Sequence, residues 1–151
     1  MNYAQLKESI PEYAKDLKLN LDAVVLRSSL DAEVAGAIAV SAAYAAEMPV
    51  EAFKELTSDK EFNAALIAAA LMGMNNVWYP YVEMTNDADL RGLPAGLRMN
   101  AYTTMGGTSK DRFEAYALAA SIIGKCHFCI KSHYDLLKKE GWTIKQLQDV
   151  G

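Results

Sequence analysis

One continuous stretch decides the fold: Phe113–Gly124 (FEAYALAASIIG), followed directly by Lys125–His133 (KCHFCIKSH). The first segment is rich in alanine and predicts a helix, with Gly124 suited to the position just after the last helical turn. A second helix that begins near Cys126 places both cysteines of the chain in or beside its first turn. The sequence therefore predicts two helices joined by a tight turn at Gly124.

Helix signals recur on both sides of this stretch. Asp31 can cap a helix that runs to about Ala46 and ends before Pro49. Two capping boxes, Ser58-x-x-Glu61 and Thr143-x-x-Gln146, predict helix starts near residues 59 and 144.

Turn residues concentrate in two places, 86–96 and 105–109, so the segment between them holds at most a short helix. Alternating runs of β-branched and aromatic residues are hardly present. We therefore expect an all-α fold in one domain, residues 1–151, with a loop at its middle.

An ungapped overlay of residues 61–79 on residues 112–130 indicates an internal repeat of a helix pair. The informative matches are Phe62 with Phe113 and Gly73 with Gly124. The alternative is that two alanine-rich helices share alanines by chance. If the repeat is genuine, only the second copy carries the cysteines.

Composition excludes several classes of protein. The chain has 151 residues, 52% of them hydrophobic and 23% charged, which is typical of a globular domain and not of a disordered chain. Its net charge is −4 with no basic cluster, so we expect no nucleic-acid partner. The longest apolar run, 64–74, is shorter than the roughly 20 residues of a membrane span, and the N-terminus lacks a signal-peptide pattern. We expect a cytoplasmic protein.

The two cysteines are spaced for reversible oxidation. An i, i+3 spacing holds the Cα atoms of Cys126 and Cys129 about 5–6 Å apart, where a disulfide closes without backbone movement. The helix N-terminus favours the thiolate form. His133 lies one turn beyond Cys129 on the same helical face and can take or share the thiol proton, whereas His127 points elsewhere.

Glu114 is the only charged residue between Phe113 and Gly124. It can face the protein interior, where a carboxylate can act as a general base, or it can be an exposed residue favoured by the helix dipole. The local sequence leaves both readings open.

Other interpretations of the cysteines also remain. Cys126, Cys129 and His133 could bind zinc with Glu114 or His127 as the fourth ligand, although structural zinc usually takes its ligands from two separated pairs. The cysteines could also be unreactive core residues. His127 is either a solvent-facing residue or one that tunes the thiols.

The spacing Glu114-x₁₁-Cys126-x-x-Cys129-x-x-x-His133 resembles the signature of the alkylhydroperoxidase D (AhpD) proteins of the carboxymuconolactone decarboxylase superfamily. Two stretches ahead of it also resemble that family, 72–79 (MGMNNVWY) and 96–100 (GLRMN), as does the N-terminal segment 6–21. The resemblance covers nearly the whole chain.

The resemblance implies an all-α AhpD-like fold, a homotrimer, and an oxidoreductase that reduces hydroperoxides or the disulfide of a partner peroxiredoxin. It also implies that no cofactor is bound and that the reductant is an external dithiol, the dihydrolipoyl group of a lipoyl-domain protein. By position, the resemblance implies that Cys129 is the attacking thiolate that becomes a sulfenic acid, and that Cys126 is the resolving cysteine and proton donor. Glu114 and His133 form the proton relay. The competing hypothesis is a redox sensor or zinc module that switches without turnover.

The chain departs from the family in two places. Some members carry a histidine immediately before the second cysteine, where this chain has Phe128, and its own histidine lies one place earlier as His127. Family members also usually continue with another helix after the position of Gly151, so we expect apolar surface to be uncovered here.

Overall fold

The computed structural model describes residues 1–151, and its regular structure is entirely helical. The nine α-helices are α1 Tyr3–Ser9, α2 Lys15–Leu26, α3 Ala32–Ala45, α4 Asp59–Thr85, α5 Ala88–Arg91, α6 Ala101–Thr104, α7 Lys110–Gly124, α8 His127–Lys139 and α9 Ile144–Val150. Short 3₁₀ helices cover Glu12–Ala14, Val50–Leu56 and Met105–Gly107. The all-α prediction is confirmed, and the segment between the two predicted breaks holds only the four-residue α6.

Three alanine-rich helices, α3, α4 and α7, pack against one another at the centre of the fold, and α8 packs on α7 and α4. Alanines that are completely buried line these contacts: Ala37, Ala64, Ala65, Ala68, Ala115, Ala117 and Ala120. Small side chains let the helix axes approach closely. Gly36 of α3 lies equally close to the 3₁₀ helix Val50–Leu56, because a Cβ there would lie 2.4 Å from the backbone oxygen of Leu56. The three helices form the base on which α8 lies.

The predicted helix caps are confirmed, with one difference. Asp31 caps α3 through amides of its first turn, and Thr143 and Gln146 form a complete capping box at α9. Ser58 accepts a hydrogen bond from the amide of Glu61, but the Glu61 side chain does not return it. That carboxylate is instead completely buried.

Glu61 belongs to a polar cluster between α4 and α7. Its carboxylate accepts hydrogen bonds from the hydroxyls of Thr108 and Tyr116 and from Arg112, which also pairs with Glu33 at 3.1 Å. Burial and the adjacent Glu61 carboxylate raise the pKa of Tyr116 well above its ordinary value, so its hydroxyl remains a donor. These partners satisfy a carboxylate that would otherwise be costly to bury.

The two segments of the predicted internal repeat correspond at their start only. α4 begins at Asp59 and α7 at Lys110, which is the offset of the sequence overlay. α7 ends at Gly124, whereas α4 runs on through the aligned Gly73 to Thr85 and includes Pro80 in its interior. The predicted correspondence therefore does not extend to a second break, and a common origin of the two halves stays a prediction.

We expected Gly124 to lie just beyond the end of α7, and this prediction is wrong. The residue with left-handed backbone is Lys125, with φ of 54°, and Gly124 is the last residue of α7. A glycine is needed at 124 because α4 crosses there: a Cβ would lie 2.3 Å from Nδ2 of Asn76. That nitrogen donates to the backbone oxygen of Ala120 at 3.0 Å and ties α4 to the end of α7.

Apolar surface is exposed near α9. A cleft of about 740 Å³ lies between α2, α3 and the end of α9, and its wall includes the exposed side chains of Leu17, Val24 and Ile123. None of the helices combines the length and apolar character needed to span a membrane.

Candidate active site

The start of α8 brings the two cysteines together. Cys126 is the N-cap residue, and its sulfur accepts a hydrogen bond from the amide of Cys129 at 3.3 Å. The two residues form a disulfide with their Cα atoms 5.2 Å apart, as the spacing predicts. The N-terminus of α8 therefore presents both sulfurs to the positive end of the helix dipole.

The two sulfurs differ in their access to a cavity of about 560 Å³ beside α8. Cys129 lines this cavity, and Cys126 does not. Cys126 is completely buried against α4, with its sulfur 3.8 Å from the backbone oxygen of Asn75. A molecule in the cavity therefore reaches Cys129 first.

His133 and Glu114 form a buried pair in the same cavity. Nδ1 of His133 lies 2.5 Å from Oε2 of Glu114, and the two residues are 7% and 1% exposed. The prediction that His133 shares the helical face of the cysteines is confirmed. The alternative that Glu114 is an exposed first-turn residue is wrong, because Glu114 is buried in the second turn of α7, where it contacts His133 of α8.

The hydrogen bond to Glu114 determines which nitrogen of His133 can act as a base. With Glu114 ionised, Nδ1 carries the proton and donates, so Nε2 of the neutral ring has its lone pair free. Nε2 lies 3.1 Å from the sulfur of Met72, which also lines the cavity. The side chains thus present an imidazole base oriented by a carboxylate, an arrangement that activates nucleophiles in several classes of enzyme.

Tyr102 is a site residue that the sequence did not indicate. Its hydroxyl donates to Oε1 of Glu114 at 2.5 Å, from the short helix α6. Burial and the Glu114 carboxylate raise the pKa of Tyr102 well above its ordinary value. The only signal was its place two residues after the 96–100 stretch, which carries no information about a contact with Glu114.

The remaining cavity wall is largely apolar and aromatic. Tyr79 from α4 and Phe128 from α8 stack with their ring centroids 4.3 Å apart. Phe128 is 57% exposed and lies beside Cys129 in the sequence. The cavity can therefore hold an apolar group next to the Cys129 sulfur.

His127 lies outside the cavity. Its Nδ1 is 3.0 Å from a carboxylate oxygen of Glu83, and its side chain is 77% exposed. Of the two readings of His127, the structure agrees with the solvent-facing one. No group of three or more His, Cys, Asp or Glu side chains has the arrangement of a metal site.

Comparisons with known proteins agree with the motif. The model of the Carboxymuconolactone decarboxylase family matches residues 88–150, a range that contains Glu114, both cysteines and His133.

Several curated relatives match almost the whole chain. The alkyl hydroperoxide reductase AhpD of Maricaulis maris is 40% identical over 155 positions, which cover 98% of this chain and 88% of the relative. The AhpD of Rhodospirillum centenum is 38% identical, covering 99% and 83%, and that of Coxiella burnetii is 36% identical, covering 95% and 86%. The chain belongs to the AhpD family of the carboxymuconolactone decarboxylase superfamily.

Proposed function

We propose that this protein is a thiol-dependent hydroperoxide reductase that works through the Cys126–Cys129 pair. The observation that carries the proposal is the position of Cys129, which is disulfide-bonded to Cys126 and lines an apolar cavity together with the His133–Glu114 pair. The relatives named alkyl hydroperoxide reductase support the reaction class.

The first step uses the reduced protein. Nε2 of His133 takes the thiol proton of Cys129, and Glu114 stabilises the imidazolium through Nδ1. The Cys129 thiolate attacks one oxygen of the hydroperoxide, the O–O bond breaks, and the leaving alkoxide takes the proton from His133. The products are an alcohol and the sulfenic acid of Cys129.

The second step forms the disulfide. The Cys126 sulfur attacks the sulfenic sulfur of Cys129, the S–O bond breaks, and water leaves with the thiol proton. The burial of Cys126 away from the cavity and the short distance between the two Cα atoms support this role. Because a substrate in the cavity reaches Cys129 first, we assign attack to Cys129 and resolution to Cys126.

The third step needs an external dithiol. A donor thiolate attacks the disulfide, a mixed disulfide forms, and the second donor thiol releases the reduced protein. We propose a dihydrolipoyl group on a lipoyl-domain protein as this donor, because its two thiols lie on one flexible chain and can complete both exchanges.

The same chemistry extends to a protein substrate. The reduced cysteine pair could pass its electrons to the disulfide of a peroxiredoxin, again by thiol–disulfide exchange. We also propose that the protein is a cytoplasmic homotrimer, as the family resemblance implies. The exposed apolar cleft near α9 supports association between copies, which light scattering would measure.

A steady-state assay tests the proposed reaction. We expect continuous consumption of cumene hydroperoxide with dihydrolipoamide as donor, and loss of that turnover in the double variant C126S/C129S. A redox sensor would instead consume a single equivalent of peroxide per chain. A zinc module would retain one tightly bound zinc after purification, and either result would contradict the proposal.

A further inference from the structure

The carboxylate of Glu114 is held from two sides. Oε2 lies 2.5 Å from Nδ1 of His133, and Oε1 accepts a hydrogen bond from the hydroxyl of Tyr102 at 2.5 Å. Each oxygen therefore has its own donor, one from α8 and one from α6. A carboxylate with one free oxygen could rotate about its last bond, whereas this one is fixed in the orientation that serves His133.

The ring of Tyr102 is fixed independently of its hydroxyl. It packs edge-to-face on Phe113, with the ring centroids 4.9 Å apart and the planes at 89°. Phe113 is completely buried and adjacent to Glu114 in α7. The aromatic contact places the hydroxyl, and the hydroxyl in turn places the carboxylate.

We propose that Tyr102 is a positioning residue of the proton relay: its hydroxyl holds the ionised Glu114 carboxylate against His133. The inference rests on the proposed function, in which His133 accepts the proton of Cys129. It assigns no contact with substrate to Tyr102.

The hydroxyl has an electrostatic consequence as well as a geometric one. A hydrogen bond donated to a carboxylate stabilises its charged form. Only the charged form of Glu114 accepts a hydrogen bond from Nδ1 of His133 and leaves Nε2 of the neutral ring as a base. Without the hydroxyl of Tyr102, the charged form of Glu114 would lose one of its two hydrogen-bond donors, and the relay would become more sensitive to acidification.

Few other titratable groups lie close enough to contribute to the pH dependence of the relay. The titratable groups in the cavity beside Glu114 are Tyr102 from α6, His133 and Cys129 from α8, and Tyr79 from α4. α4 otherwise contributes Met72 and Asn75, which do not titrate, and α3 and α9 contribute nothing to the cavity.

The same helix offers a matched control. Tyr116, two residues after Glu114 in α7, donates to the other buried carboxylate, Glu61, outside the cavity. Tyr102→Phe and Tyr116→Phe thus make the same chemical change, the loss of one phenolic donor to one buried carboxylate. Only the first touches the relay.

The experiment measures the reaction of the reduced protein with a small aromatic disulfide as a function of pH, together with steady-state peroxide turnover. We expect Tyr102→Phe to move the acid limb of the rate profile upward by about one pH unit, the size expected for a hydrogen bond to a charged group. We expect kcat at neutral pH to fall about threefold to tenfold with KM little changed. Tyr116→Phe should lower stability and leave the acid limb in place.

A double variant adds a second readout. In a Glu114→Gln background, Tyr102→Phe should have no further effect, because the charged acceptor is already gone. An unmoved acid limb in Tyr102→Phe, an equal shift in Tyr116→Phe, or a rise of KM with unchanged kcat would each overturn the inference. If the wild-type protein shows the predicted thiol profile but no peroxide turnover, the proposed function fails and the role of Tyr102 stands.

Discussion

Gly124 and Asn76 meet where α4 crosses the end of α7, with no room between them for one additional carbon atom. The contact lies two residues before Cys126, so it sets the point at which the chain turns toward the cysteines. Asn76 adds a hydrogen bond to the backbone of Ala120. The position of the redox pair therefore depends on packing between helices as well as on the turn itself.

Gly124→Ala should destabilise the protein and disturb this turn. The new methyl group would press on the Asn76 side chain, and we expect a loss of about 1–3 kcal/mol in the free energy of unfolding, with reduced peroxide turnover. Urea unfolding measures the first and the steady-state assay the second. The control is Gly73→Ala in the interior of α4, where an added Cβ meets nothing within 4 Å. This change should raise the free energy of unfolding by about 0.5–1 kcal/mol, because alanine favours a helix over glycine. Equal effects at both positions would show that the crossing is not tight.

Single cysteine variants should separate the two sulfur roles. Cys129→Ser should abolish turnover, whereas Cys126→Ser should react once with peroxide and retain a sulfenic acid that a carbon nucleophile traps. Mass spectrometry of the trapped adduct measures this outcome. A trapped adduct in Cys129→Ser, with Cys126→Ser inert, would reverse the assignment.

The two histidines should differ in their effect on the rate. His133→Ala removes the buried base and should lower turnover by roughly 10²-fold, the lower end for a lost general base. His127→Ala removes an exposed ring paired with Glu83 and should change turnover little. A larger loss in His127→Ala than in His133→Ala would place the functional histidine at the helix start.

Glu114→Gln keeps the volume of the side chain and removes the charge. We expect the dithiol-dependent rate to fall by roughly 10²-fold, because Nδ1 of His133 loses its ionised acceptor. The ultraviolet absorbance of the thiolate should appear at higher pH in the reduced variant. Glu61→Gln is the control, since it changes the other buried carboxylate of the core and should lower stability while leaving the thiolate absorbance unmoved. An unchanged rate in Glu114→Gln would mean that the carboxylate has no part in the relay.

Asp149 should make the free energy of unfolding depend on pH in the acid range. Hydrogen bonds from Lys145 and from Ser29 lower the pKa of Asp149 to about 2 from its ordinary 3.8. Because the folded-state pKa lies below the unfolded one, the contact stabilises the fold above about pH 4 and is lost as the pH falls toward about 2. Asp149→Asn should therefore reduce stability near neutral pH, with the difference from wild type disappearing near pH 2 in urea titrations.

A matched variant isolates the contribution of Ser29. Asp135→Asn removes a lysine–aspartate pair with the same four-residue spacing, formed with Lys131 on the exposed face of α8. Exposed pairs of this kind contribute little, so this change should have almost no effect at any pH. If Asp149→Asn also showed no pH-dependent difference, the connection between α9 and the loop after α2 would not be stabilising.

The sequence predicted features whose causes are local. The caps at Asp31, Ser58 and Thr143 depend on residues no more than three positions away, and the shared face of Cys129 and His133 follows from helical geometry. For that reason the start of α8 and the grouping of the sulfurs with one histidine could be predicted from the order of the residues alone.

Contacts between distant segments could not be predicted in the same way. Tyr102 reaches Glu114 from the short helix α6, which packs on α4. Glu61 fits a local capping pattern, but its side chain accepts a hydrogen bond from Tyr116 instead. The role of Gly124 was misassigned for the same reason, since the partner that requires a glycine there belongs to another helix. Single-sequence patterns report neighbours along the chain, whereas these roles depend on neighbours in space.

The sulfur of Cys126 also caps the start of α8. It accepts a hydrogen bond from the amide of Cys129, which would otherwise have no partner within the helix. Oxidation state and the order of the first helical turn are therefore linked variables, and linkage is reciprocal. Whichever form of the sulfur is the better acceptor orders that turn more strongly. Any change that loosens the turn would therefore shift the equilibrium between disulfide and dithiol in the same measure.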